Sequence, residues 1–349
     1  MSVETDFVGS ASADSVGEVI EDAPRPPSSE GCPTPLGWAE VLESFRAASA
    51  AWSLQVDGAL LHGRTLGTGR PLYFLNGITG NCELFCLLAW LLRDEFRCVL
   101  FDYRSHDANG RSHDASGGAK GHLGQLSLPR LVDDFLAVAA AQQDQTFDVL
   151  AAPFGSLVAL GALADRPLRI RRAVLLGGFA HRRLSPFERL LCGVGRFLPG
   201  TISRVPLRNT LQLASHQRAF PPFDASRWGF FAQNSGQTST RDLAERAALM
   251  ANTDLRDRLS RIEQPVLLIR TEHEGAVSAA GQDELERGLP HASAENMPLA
   301  GQLAYLTHPH RVAKTVRSFL ADASSEGQAG CEAVRLDNSC CADHKDESL

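Results

Sequence analysis

Short apolar runs alternate with amphipathic stretches through the middle of the chain. The runs PLYFLN (71 to 76), RCVLFD (97 to 102), FDVLA (147 to 151), IRRAVLLG (170 to 177) and PVLLIR (265 to 270) are rich in leucine and branched residues, with few polar interruptions. That pattern belongs to strands buried on both faces. Between two of them, Leu128, Leu131, Val132, Phe135, Leu136 and Val138 share one face of a helix that Ser127 is suited to cap. Strands and helices in alternation predict an α/β fold, a mostly parallel sheet covered by helices.

The alternation breaks between residues 178 and about 262. Ser185-Pro186-Phe187-Glu188 has a capping serine, proline at the first helical position and a glutamate three residues on, the marks of a helix start. Leu243, Ala247 and Met250 mark a second helix. These predict a helical insertion, a cap over one edge of the sheet. Residues 1–35 and 323–349 are rich in Ser, Gly and acids without hydrophobic period, so both are expected to be disordered around a folded unit at 36–322.

Composition adds mainly exclusions. A chain of 349 residues, 44% hydrophobic and 21% charged, is large enough for a substantial core. Net charge is −7 and the basic residues are scattered along the sequence, which argues against a nucleic-acid partner and against an anionic membrane surface. No run approaches the roughly 18 apolar residues of a membrane span, and no basic start leads into an apolar segment, so a soluble, cytoplasmic protein is expected. Eight cysteines at irregular positions do not form a disulfide framework, and Cys98, inside an apolar run, reads as a small core residue. Cys331, Cys340, Cys341 and His344 match no strong zinc spacing.

The loops carry a resemblance. "FDVLAAPFGSLVAL" (147 to 160) reads as the strand, sharp turn and helix that present a hydrolase nucleophile. "YFLNGITG", "FDYRSHDANGRS", "RTEHEGAVS" and "LAGQLAYLTHPHRV" resemble, in order, an oxyanion loop, a post-strand loop, an acid loop and a histidine loop. Over roughly residues 52–320 the chain is similar to the α/β-hydrolase superfamily, in its esterase and lipase-like branch. The resemblance implies Pro153 at the nucleophile position, Glu274 at the acid position, Gln302 at the histidine position, Asn76 where histidine is usual, and oxyanion donors at Ile78 and Phe154.

Serine acyl transfer needs an attacking hydroxyl and an imidazole that takes and returns its proton. Pro153 and Gln302 supply neither. In a serine-protease template, removing the nucleophile or its base costs about 10⁶ in turnover. The family's nucleophile also sits at positive φ, whereas a proline ring holds φ near −65°. The elbow is therefore expected to be relaxed, with Pro153 at negative φ. Ala151 and Gly155 then read as room for the helix to pass the preceding strand, and Ser156 as a small helix residue rather than a displaced nucleophile.

Other constellations are weaker. RSHDANGRSHDASGG repeats a seven-residue unit and places His106, Asp107, His113 and Asp114 in one loop; a metal site is one reading, a duplicated hydrophilic loop the preferred one. His273 beside Glu274, or His181, are candidate acid/base groups, against a solvated acidic loop in which Glu274 hydrogen-bonds Gln302. His308-Pro309-His310 reads as the start of the last helix. Phe179, Phe187, Phe197, Trp228, Phe230 and Phe231 are either cap core or the lining of an apolar cleft suited to an acyl or lipid-like small molecule. No cofactor is called for. The resulting expectation is a pseudo-hydrolase that binds a ligand or partner or runs non-acyl chemistry; the alternatives are an active hydrolase or lyase that uses Glu274, His273 or His181 on bound water, and a metal-dependent hydrolase.

Overall fold

The structure, a computed structural model, describes residues 37–105, 126–166, 169–205, 214–220, 225–271 and 279–321. In chain order these form α1 (Trp38–Ala48), β1 (Ala50–Val56), β2 (Ala59–Leu66), β3 (Arg70–Leu75), α2 (Cys86–Leu92), β4 (Phe96–Phe101), α3 (Leu128–Ala141), β5 (Phe147–Ala151), α4 (Pro153–Asp165) and β6 (Ile170–Leu176). The chain continues through α5 (Pro186–Gly195), α6 (Ala214–Gln217), α7 (Ala225–Gly236), α8 (Thr240–Asn252), β7 (Val266–Thr271), α9 (Ala279–Gly288), β8 (Ala292–Met297), α10 (Ala304–Thr307) and α11 (Pro309–Ala321).

All eight strands join one sheet in the order β1-β2-β4-β3-β5-β6-β7-β8. β1, β2 and β4 pair antiparallel, and every pairing from β4 through β3 to β8 is parallel. This is the α/β architecture expected from the alternating pattern. The five apolar runs are β3 to β7. The three strands without such a run lie outside them: β1 and β8 are the two edges, largely exposed, and β2 interleaves His62, Arg64 and Thr65 with its apolar positions.

Successive strand residues point to opposite faces. Tyr73 packs on one side with Phe147 at 4.7 Å and Phe135 of α3 at 5.6 Å between ring centroids, while Phe74 packs on the other against Phe85 at 5.3 Å, which in turn meets Tyr305 at 4.5 Å. α4 is buried from Phe154 to Leu163 without a polar face, as befits a helix at the centre of the fold. Ser127 caps α3 by accepting from the Arg130 N–H, Ser185 and Glu188 form the expected capping box on α5, and α11 starts at Pro309.

Between β6 and β7 the chain passes through α5 to α8, the expected helical insertion. Its aromatic residues do not line a cleft together. Phe179 is in the main core, Phe230 lies 3.9 Å from the Trp38 ring, and Trp228 and Phe231 cluster with Phe220. Phe187 and Phe197 are exposed, at 66% and 88%. Among the described residues no helix is long and apolar enough to cross a membrane.

Candidate active site

The parallel strands run in one direction, so the loops after β3, β4, β5, β6 and β8 gather at one edge of the sheet, where ligands bind in open α/β sheets. Pro153 follows β5 there as the first residue of α4, after Ala152 at φ −71° and ψ 171°. Among the described residues the non-glycine positions with positive φ are Asp57, Gln143 and Leu299, and Pro153 is not one of them. The turn is an ordinary helix start with the proline in its favoured place. The Phe154 N–H accordingly belongs to the first turn of a helix, where such groups point along the helix axis.

The small residues of this turn have identifiable neighbours. A Cβ on Gly155 would lie 2.5 Å from the Leu75 carbonyl oxygen, so glycine is required by the close approach of α4 to β3. The crowding strand is thus β3, beside β5 in the sheet, rather than the preceding strand that local sequence suggested. Ser156 is fully buried. Its hydroxyl donates to the Pro153 carbonyl at 2.6 Å and accepts from the Phe179 N–H at 3.3 Å, which occupies it in packing β6's exit loop onto α4.

The loop after β3 is latched to the insertion. Arg246 of α8 donates to the Ile78 carbonyl at 3.1 Å, Thr238 accepts from the Gly80 N–H at 2.8 Å, and Asn234 accepts from the Asn81 N–H at 3.0 Å while donating to the Asn81 side chain at 2.7 Å. Asn76 is buried, donates to the Phe101 carbonyl at 2.7 Å and receives the Tyr103 hydroxyl on its own carbonyl at 3.1 Å. The Tyr103 ring stands edge-on to Phe154 at 5.6 Å and carries the Arg246 guanidinium 5.6 Å from its centroid.

Asp102, immediately after β4, accepts from the Cys82 N–H at 2.6 Å and from the Asn76 amide at 3.4 Å. Desolvation pushes its carboxyl up from 3.8 to about 6, against the lowering effect of the Cys82 N–H and the Arg246 charge. It retains partial exposure to solvent. Neither Asp102 nor Arg246 was singled out from sequence. The available signal was an acid directly ending the apolar run RCVLF; for Arg246, 144 residues farther on, there was none.

His181 sits where β6 leaves for the insertion, with Nδ1 3.0 Å from the Thr253 carbonyl, and forms a strand-like bridge to Asp254. Its imidazole ties the two ends of the insertion together. Gln302 lies in the turn before α10, on the loop after β8, and its Nε2 is buried without a hydrogen-bond partner among the described residues. The expected contact from Glu274 to Gln302 falls outside the described residues, since Glu274 is not among them. Glu274 and His273, like His106, Asp107, His113, Asp114 and the tail residues Cys331, Cys340, Cys341 and His344, lie outside the described residues. Among the described residues no group of three or more His, Cys, Asp or Glu side chains is placed to hold a metal ion.

A model of the alpha/beta hydrolase fold family matches residues 70–309. The chain belongs to this family. It is 24% identical over 273 residues to a putative carbamate hydrolase, RutD, of Agrobacterium fabrum, covering 75% of this chain and 97% of that protein. It is 27% identical over 265 residues to a pyrrolizixenacetamide deacetylase of Xenorhabdus hominickii, covering 73% and 92%. Among solved structures, the enol-lactonase of Burkholderia xenovorans LB400 superposes with a TM-score of 0.64 at 20% identity, covering 77% of this chain and all of that one. The match places this hydrolase-fold chain's latched loop, Pro153 and Gln302 within the family's span.

Proposed function

We propose that this chain handles a small ester-, amide- or carbamate-type molecule without forming an acyl-enzyme at residue 153. The observation that carries this reading is Pro153 as the first residue of α4, with no positive φ at the turn. A proline side chain has no group that attacks a carbonyl, and Ser156 spends its hydroxyl on the Pro153 carbonyl. The Nε2 of Gln302, buried and without a partner among the described residues, supports a ligand site, because a buried donor left unmade costs about 1–3 kcal/mol and an acceptor on a ligand would recover it.

The relatives favour turnover over binding alone: those named above are called a carbamate hydrolase and a deacetylase. Turnover without an acyl-enzyme requires a base to take a proton from bound water. The hydroxide attacks the carbonyl carbon, the bond to oxygen or nitrogen breaks, and the proton returns to the leaving group. Asp102 suits that role, since burial brings its carboxyl to about 6, near the working range of a general base. Glu274 and His273 remain candidates by their place in the sequence. A binding-only role is the second reading, favoured by Pro153 in place of an attacking side chain at the start of α4.

Purified full-length protein offered activated esters, amides and carbamates, then a fluorophosphonate probe, separates the readings. Turnover without labelling, lost in Asp102→Asn, supports the water route. Saturable binding of the same compounds without turnover supports the second reading. Turnover together with labelling of a serine overturns both.

A further inference from the structure

α5 carries its apolar stripe on the outside of the molecule. Phe187, Leu190, Leu191 and Val194 recur at three- and four-residue spacing, and Phe197 and Leu198 extend the row. Such a stripe ordinarily faces a core. Here these six side chains are exposed by 66, 63, 53, 50, 88 and 48%, and no residue of α5 is fully buried. The helix touches the rest of the fold along another side, where Gly195 approaches Ala244 of α8. Contiguous exposed apolar surface of this kind marks an interaction site.

Charge indicates the partner. The basic residues are scattered over the chain as a whole, whose net charge is −7, and that argues against an anionic membrane surface. Residues 182–204 are the local exception, with five arginines and one glutamate. The glutamate, Glu188, is paired with Arg182 at 2.8 Å. Arg183, Arg189, Arg196 and Arg204 are exposed and form no ion pair among the described residues. Arg189 and Arg196, two helical turns apart, form a row on the polar side of α5. An apolar face with arginine on the polar face is the design of a helix that lies in the plane of a bilayer interface.

We infer that α5 docks this protein reversibly onto an anionic lipid surface, with Phe187, Leu191 and Phe197 entering the acyl boundary and Arg189 and Arg196 at headgroup level. The negative charge elsewhere on the chain disfavours other orientations. Because the surface is separate from the residue 153 loop, this docking stands whether or not the site there hydrolyses its ligand.

Full-length protein sedimented with phosphatidylcholine vesicles, with and without phosphatidylserine, tests it. Binding is expected only where phosphatidylserine is present, weakening as salt rises. Arg189→Gln and Arg196→Gln are each expected to weaken it about fivefold, and Leu191→Asp at least about tenfold. Melting curves establish that these exposed-site variants fold. Phe197→Trp gives an independent reading, a blue-shifted emission on anionic vesicles. Equal binding to both vesicle types, binding to neither, no shift from the tryptophan, or a dimer in solution that Leu191→Asp converts to monomer would each overturn the inference.

Discussion

Arg246 of α8 and Ile78 of the loop after β3 are joined by a 3.1 Å hydrogen bond from guanidinium to carbonyl, across 168 residues of sequence. The same guanidinium lies over Tyr103, so one side chain holds the insertion, the β3 loop and the β4 loop in register beside the Pro153 turn. Arg246 is 5% exposed, and its desolvated hydrogen bond is correspondingly hard to replace with water.

Replacing Arg246 by methionine keeps most of the stem and removes the charge and the bond to Ile78. The Ile78 carbonyl then loses its partner, and a stability loss of about 1–3 kcal/mol is expected in urea denaturation. Asp102 is expected to titrate higher than in the parent, because Arg246 draws its carboxyl down. An unchanged Asp102 titration would refute the electrostatic link.

Asp102 also sets a pH dependence. Its folded value, about 6, exceeds the ordinary 3.8. Between those values the folded state binds more protons than the unfolded one, so this carboxyl lowers stability as pH rises from about 4 to about 6 and has no further slope above. Asp102→Asn keeps an acceptor for the Cys82 N–H and removes the ionisation. The variant's stability relative to the parent is expected to increase across that window, as read by melting temperature in matched buffers.

Arg104 and Asp134 form a buried ion pair, with bonds of 2.6 and 2.5 Å and side chains only 1% and 2% exposed. Asp134→Asn leaves the guanidinium buried without its counter-charge. A loss of about 3–5 kcal/mol is expected in denaturant unfolding.

Two glycine substitutions should act in opposite directions. Gly155→Ala forces a Cβ to within 2.5 Å of the Leu75 carbonyl oxygen and is expected to destabilise by about 1–3 kcal/mol. Gly193→Ala, on exposed α5 with nothing within 4 Å of the new Cβ, is expected to stabilise by about 0.5–1 kcal/mol. Equal melting temperatures for the two would contradict the packing account.

Restoring both missing groups, with Pro153→Ser and Gln302→His, is expected to give weak ester hydrolysis at best. The turn is a relaxed helix start, and moving residue 153 to positive φ costs roughly 1–2 kcal/mol that the surroundings no longer supply. Fluorophosphonate labelling measures the outcome: rapid labelling at residue 153 would show that the elbow re-forms on its own.

The strands buried on both faces were legible because burial leaves a continuous apolar run: PLYFLN and FDVLA each lie within a residue of the strand they form. β8, ASAENM, was not, because an edge strand shows no such run and its existence depends on pairing with β7. At the site, Pro153 was readable one residue at a time, since a fixed φ is a property of the residue itself. Asp102 carries no such local mark, because its shift arises from burial and from Cys82, Asn76 and Arg246, which are distant in the chain.

By itself the amino-acid order determined the parallel sheet, the helical insertion after β6 and the absence of a hydroxyl at residue 153, since each follows from local period or from one residue's covalent chemistry. Tertiary packing alone decided that Arg246 closes on Ile78, that Gly155 must clear Leu75, and that the apolar stripe of α5 faces outward. Helical period puts Phe187, Leu190, Leu191 and Val194 on one side of a cylinder, but only the docking of that cylinder against α8 chooses which side meets solvent.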